Sequence, residues 1–168
     1  MYIKAKAYTN PKYGKKPSER SVEELLRNGF INLDKPPGPT SHEVTAWVKK
    51  ILNVKKVGHG GTLDPGATGL LPIAIGKGVK ALRTFLTAEK EYIAVMVLHE
   101  YRDPDTVRNV CKEFVGDIYQ RPPVRSSVKR NVRIRRVYKF ECLDFMEKNV
   151  IVDIACSAGT YIRKLIHD

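Results

Sequence analysis

No stretch of the chain approaches the ~20 consecutive apolar residues that a membrane-spanning helix needs. The opening MYIKAKAYTNPKYGKK also lacks the apolar segment of a secretory signal, so the sequence reads as that of a soluble, intracellular protein that is not secreted. Cysteine is equally sparse. Cys111, Cys142 and Cys156 are odd in number, far apart and without a C-x-x-C, which argues against a disulfide framework or a zinc site and leaves buried thiols. His42 and Glu43 are followed by Ala46, where a zincin would place its second histidine. The largest deficit is in acid: 18 Asp and Glu stand against 30 Lys and Arg, for a formal net charge of +12. Such an excess favours a polyanionic partner, because each neutralised phosphate releases counterions. Nucleic acid leads, and an anionic membrane surface trails. What remains is a globular composition, 42% hydrophobic and 29% charged in 168 residues, with room for one core rather than two domains.

Residues 1–20 are rich in Lys, Tyr and Pro without periodicity and read as an irregular basic arm. Ser21 with Glu24 forms a capping-box pattern that starts a short helix through Leu26, with Gly29 placed to stop it. FINL reads as a strand. DKPPGPTS reads as a rigid turn, because Pro36, Pro37 and Pro39 fix their own torsions and restrict their predecessors. Thr40 and Glu43 open a second helix whose apolar face is Val44, Trp47, Val48, Ile51 and Leu52, which makes Trp47 a core residue. Lys49, Lys50, Lys55 and Lys56 gather near its end, as a solvated face or as contacts for a nucleic-acid backbone. LLPIAI predicts a short strand interrupted by Pro72, and KGVKALRTFL a helix presenting Val79, Leu82, Phe85 and Leu86. EYIAVMVL is apolar on both parities and predicts a central strand covered on both faces. Asp103 and Pro104 suit the N-cap and first position of a helix with the stripe Val107, Val110, Cys111, Phe114 and Val115, ended by Gly116. VYKFECLDF and VIVDIAC, joined by MEKN, read as paired strands, and SAGTYIRKLIHD begins a last helix.

The most unusual stretch is GHGGTLDPGATGLLP, residues 58–72, in which Asp64 is the one acid among five glycines, two prolines, two threonines and a histidine. Neither G-x-x-x-x-G-K-[ST] nor G-x-G-x-x-G can be read in it, so it is not a common phosphate loop. Taken alone, Leu63-Asp64-Pro65 fits an aspartate capping a turn as well as it fits a reactive carboxylate. Four segments in order, however, resemble the TruB and dyskerin family of pseudouridine synthases: DKPPGPTS at 34–41, GHGGTLDPGATGLLP at 58–72, KEY at 90–92 and GTYIR at 159–163. QRPPVRSSVKR at 120–130 resembles the family's proline-rich segment ahead of a basic stretch. The likeness runs from about Gly29 to the last residue. GFINLDKPPGPTSHEV and GHGGTLDP are most similar to the archaeal and eukaryotic branch, the catalytic subunit of H/ACA guide-RNA particles.

The resemblance implies an α+β pseudouridine synthase fold with a central, mainly antiparallel sheet flanked by helices and cut short at its C-terminus. Residues 1–28 would be a basic extension and 29–168 the N-terminal and central part of the catalytic domain, without the family's PUA domain. It implies isomerisation of uridines in rRNA or tRNA, in the cytoplasm if archaeal and in the nucleolus if eukaryotic. Asp64 would be the nucleophile, with no metal or redox cofactor. A carboxylate suits a reaction that cleaves C1′–N1, turns the base and rejoins it through C5, on a nucleotide that must first leave its stack. Arg163 would pair with the carboxylate, and Tyr92 would stack on the target base and share in proton transfer. His59 would help extrude the nucleotide, with Gly60, Gly61, Thr62, Leu63 and Tyr161 lining its site.

Residues 121–139 carry eight Lys or Arg and no acid; alternation on a strand would put charges on one face. Arg121, Arg125, Lys129, Arg130, Arg133, Arg135 and Arg136 are thus candidates to hold an RNA backbone, as is Lys35, for which a structural role is the alternative. The implied partners are target RNA, an H/ACA guide RNA and the accessory proteins of such a particle. A stand-alone tRNA pseudouridine synthase and a non-catalytic RNA-binding or assembly piece remain the alternatives.

Overall fold

The computed structural model describes residues 8, 10–123, 129 and 131–168; Arg125 and Arg130 lie outside the described residues. The chain divides into two compact units, Met1–Leu86 and Thr87–Asp168, each with its own antiparallel sheet and core. The antiparallel strands and flanking helices follow expectation, but the pairing is shared between two sheets and not gathered into one core.

In the first unit, α1 (Val22–Asn28) opens with the expected capping box: Ser21 Oγ accepts from Glu24 N at 3.3 Å and Glu24 accepts from Ser21 N at 2.8 Å. It runs past Leu26 and stops at Gly29, where a Cβ would sit 2.2 Å from the Leu25 carbonyl oxygen. Strand β1 (Phe30–Lys35) and strand β2 (Val57–His59) flank β3 (Gly69–Ile75). Pro72 does not interrupt β3. Its carbonyl accepts from Gly60 N at 2.8 Å, so its missing N–H faces the same side, just beyond the end of β2, where a ladder donor is not required. KGVKALRTFL is a helix only in its second half: a 3₁₀ turn at Gly76–Ala81 leads into α3 (Leu82–Thr87).

Helix α2 (Ser41–Ile51) carries the second capping box, Thr40 with Glu43. Val44 and Val48 pack with Leu71 and Ile73, but Trp47 is 51% and Ile51 78% exposed. The helix is turned toward Ser41, which is fully buried, and this carries Trp47 off the core side. The apolar face was legible; the side of it that meets the sheet was not.

The second unit has the order β4-β7-β6-β5, built from β4 (Lys90–Val97), β5 (Gly116–Gln120), β6 (Arg133–Met146) and β7 (Asn149–Cys156). β4 is therefore an edge strand of this sheet, not a central one, and Ile93, Val95 and Val97 are 64%, 60% and 66% exposed. Its apolar residues on both parities correspond to one packed face and one open face. Helix α4 (Pro104–Glu113) starts at Asp103, whose carboxylate accepts from Asp105 N and Thr106 N, and buries Val107 and Cys111. Val110 is exposed on its outer side, and Val115, beyond the helix end, is exposed as well. Cys142 donates to Cys111 Sγ at 3.7 Å, and burial, with the neighbouring thiol, pushes the Cys111 thiol up to about 12. Helix α5 (Ile162–His167) closes the unit through Leu165, 2% exposed.

One anchor organises the glycine-rich loop. Lys35, at the end of β1, is fully buried, and its Nζ donates to Pro36 O at 2.9 Å, Pro65 O at 3.0 Å and Ala67 O at 2.9 Å. An ammonium has three donors and no acceptor, and each donor here meets a carbonyl. Gly38, at φ +108°, adds its N–H to Pro65 O at 2.8 Å. Lys35 is thus internal structure, unavailable to an RNA phosphate. Replacing it with methionine removes all three bonds, and the unfolding free energy of the full-length protein is expected to fall by about 3 kcal/mol in a denaturant titration. A midpoint equal to wild type would show that the three bonds are not formed.

Candidate functional site

Asp64 sits exposed on a turn closed by Ala67 N donating to Asp64 O at 3.0 Å. Both neighbours are fixed. Pro65 is held by Lys35 and Gly38, and Leu63 by Ser41, whose hydroxyl accepts from Leu63 N at 2.9 Å and donates to Leu63 O at 3.2 Å. One hydroxyl can do both. Thr45 Oγ1 in turn donates to Ser41 O at 2.7 Å, and Leu63 packs against the core of Val44, Val48, Leu71 and Ile73. The arrangement presents a carboxylate from a backbone whose flanking residues are tied to the strand end and the helix start.

The neighbouring candidates divide. Thr62 is exposed and Gly61 half-buried, but Gly60 is buried, and a Cβ there would lie 2.8 Å from Phe85 Cβ. Close packing on α3 alone requires a glycine at position 60. His59 is half-buried, with Nδ1 2.6 Å from Gly61 O and Nε2 3.4 Å from His42 Nδ1. A carbonyl only accepts, so Nδ1 of His59 carries the proton and Nε2 faces His42. The rings meet edge to face, with centroids 5.2 Å apart. Burial lowers the His59 pKa and the His42 ring acts the same way, against the Gly61 carbonyl, so the ring is held neutral.

Tyr92, Tyr161 and Arg163 belong to the second unit. Tyr92 pairs with Ile154 across β4 and β7 and packs, half-buried, against the core. Arg163 is exposed on the first turn of α5 and lines a shallow depression with Met96, Val97, Leu98, His99, Ile166 and His167, beside the end of β4 away from Tyr92. Tyr161 is held by a residue that sequence reasoning passed over: Gln120, 2% exposed, accepts from Tyr161 N at 3.0 Å and donates to Tyr161 O at 3.2 Å.

The basic run is not uniform. Arg121 and Lys129 are exposed and Arg133 half-buried. Arg135 Nε donates to Gly159 O at 3.0 Å, at a glycine with φ +78°, and so braces the turn that leads to Arg163. Arg136 faces Asp117 at 3.5 Å. Lys139 bonds Asp153 and Glu91 at 2.7 and 2.5 Å, and those bonds raise its pKa. Ser41 and Gln120 fall within the DKPPGPTS and QRPPVRSSVKR segments, but their partners lie 22 and 41 residues away, so the sequence did not show what they hold. Among the described residues no helix is long and apolar enough to cross a membrane.

Comparison with known proteins fits this arrangement. The model of the TruB family pseudouridylate synthase N-terminal domain matches residues 49–162, and that of the DKCLD (NUC011) domain matches residues 1–45. A protein of Methanopyrus kandleri named probable tRNA pseudouridine synthase B is 53% identical over 168 residues, covering 100% of this chain and 50% of its own length. Its namesake in Pyrococcus abyssi is 53% identical over 162 residues, with 96% and 48% covered. The chain thus spans about half the length of the curated relatives it matches. Among solved structures, a Cbf5-Nop10-Gar1 complex matches with a TM-score of 0.89 at 52% identity, covering 96% of this chain and 49% of that one. An H/ACA RNP bound to a substrate RNA containing 2′-deoxyuridine matches with a TM-score of 0.85 at 48% identity, with 96% and 48% covered. On this likeness of sequence and fold, the chain belongs to the TruB family of pseudouridylate synthases.

Proposed function

We propose that the protein isomerises uridine to pseudouridine in RNA, with Asp64 as the nucleophile. The observation that carries this reading is an exposed carboxylate whose two flanking residues are anchored by Lys35, Gly38 and Ser41. Cleaving C1′–N1 and rejoining the base through C5 needs a group that retains the separated fragment, and a carboxylate supplies it. A turn fixed before substrate arrives keeps that group in place without reorganisation in the reaction. Arg163 supplies a cation for the carboxylate, and Tyr92 a phenol for the extruded base. His59, held neutral, acts on extrusion.

Substrate choice is assigned to an H/ACA guide RNA and accessory proteins, as in the Cbf5-Nop10-Gar1 and RNA-bound particles that the chain resembles. The residues free to hold phosphates fix register without reading bases, so base pairing can supply the sequence. The compartment would be the cytoplasm of an archaeal cell or the nucleolus of a eukaryotic one. A second reading, a stand-alone enzyme acting on tRNA, is favoured by the names of the relatives. Efficient modification of one target with the guide and little without it supports the first; equal modification supports the second.

Asp64→Asn is expected to abolish pseudouridine formation by the full-length protein while RNA affinity stays near wild type, because the amide keeps the shape but not the anion. Turnover near the wild-type rate in a pseudouridine assay would end the assignment. Neutralising Arg121 and Lys129, both exposed, is expected to weaken RNA binding and reduce the slope of log K against log salt by roughly 0.7 to 0.9 for each phosphate no longer neutralised. An unchanged slope would make them a solvated face.

A further inference from the structure

Helix α5 is only six residues long, too short to hold its direction without packing or anchors. Leu165 supplies one anchor by burial. Ile162 and Ile166 pack beside it, and a further anchor lies just before the helix. Tyr161 is the N-cap, a position usually filled by a short side chain whose oxygen holds the helix start; here the backbone of Tyr161 is gripped from outside by Gln120. The grip has one possible orientation, since the Tyr161 N–H can only donate and its C=O only accept, which places Oε1 on the first and Nε2 on the second. The same Tyr161 carbonyl accepts from Leu165 N at 3.0 Å, opening the helix ladder. The carboxamide therefore fixes the two peptide groups on either side of the Tyr161 Cα, from which α5 springs, two residues before Arg163.

The turn ahead of this point is fixed as well. Ser157 N donates to Arg136 O at 2.8 Å, Thr160 Oγ1 to Ser157 O at 2.8 Å and Arg135 Nε to Gly159 O at 3.0 Å. Between Tyr161 and the arginine, Ile162 packs against the core, so Tyr161 is the last residue before Arg163 whose N–H and C=O are both held by a side chain.

We propose that Gln120 is a positioning residue for Arg163, setting the start and direction of α5 through its two-point hold on Tyr161. The proposal rests on the pseudouridine synthase reading above. A residue that only satisfies buried polar groups would change the fraction of folded protein. A positioning residue changes the rate per folded molecule, because misplacing a reacting group by an ångström can cost orders of magnitude.

The test uses the full-length protein with its RNA, comparing Gln120→Met and Gln120→Glu, each alone and combined with Arg163→Lys. Single-turnover rates at saturating RNA, RNA affinity and thermal midpoint are measured for each. Gln120→Met, similar in shape but without either bond, is expected to lower the single-turnover rate on the order of 10- to 100-fold in folded protein, with RNA affinity retained. In the Arg163→Lys background the same change should cost far less, since a residue acting through Arg163 cannot add its loss to that of the arginine. A wild-type rate for folded Gln120→Met, or losses that multiply in the double variant, would overturn the proposal. Should Gln120→Met not fold, Gln120→Glu is read the same way: it keeps the acceptor for Tyr161 N–H but sets an oxygen against the Tyr161 carbonyl. A wild-type protein that binds the RNA yet forms no pseudouridine would remove the functional reading and this proposal with it. That outcome is distinct from an active wild type with an unaffected Gln120 variant.

Discussion

The first unit depends on where the Lys35 ammonium is placed. The segments around it are poor in donors: Pro36, Pro37, Pro39 and Pro65 have no N–H, and the loop at 60–68 forms no ladder of its own. Carbonyls in such a loop must find donors or face water. Lys35 supplies three N–H groups at one point, drawing Pro36, Pro65 and Ala67 together across more than thirty residues of sequence. A point charge on a long flexible stem can do this where backbone pairing cannot, and its burial excludes the water that would compete.

The same solution recurs on a smaller scale beside each candidate residue. Ser41 holds the N–H and C=O of Leu63, one residue from Asp64. Gln120 holds the N–H and C=O of Tyr161, two residues from Arg163. In both cases a buried side chain takes the place of a strand partner for one residue, and the candidate side chain lies one or two residues beyond the fixed point. Ordering each residue of an irregular segment costs about 1–2 kcal/mol in backbone entropy. A hold at both backbone polar groups of a single residue is a direct way to offset that cost where no sheet is available.

The sequence shows features whose physics is local. Both capping boxes, the Asp103-Pro104 helix start, the β6–β7 pair and the stop at Gly29 come from residues that act on their immediate neighbours. The departures share a different cause. Trp47 and Val44 sit on one apolar stripe, and only the need to bury Ser41 against Leu63 decides which edge faces inward. Ile93, Val95 and Val97 read as covered because periodicity reports apolar residues without reporting what packs on them. Gly60 suggests room for a ligand until Phe85 is placed beside it. Lys35, Ser41 and Gln120, like Asp64, fall within the motif segments, but they act through partners remote in sequence, so what they hold was not legible.

Charge in the basic run shows why composition alone understates structure. Arg136 and Lys139 face carboxylates, so their charge is largely compensated nearby. Arg135 is different, since a carbonyl accepts its hydrogen bond without neutralising it. It braces the turn before α5 and still contributes to the field seen by a polyanion. Among the described residues of the run, Arg121 and Lys129 are exposed and Arg133 half-buried, and with Arg135 they add to the field that a polyanion would meet. In the other unit, the exposed Lys49, Lys50, Lys55 and Lys56 offer a second basic cluster at the end of α2. A polyanion held by such scattered, sequence-blind charges would be positioned by its backbone and not read by these side chains.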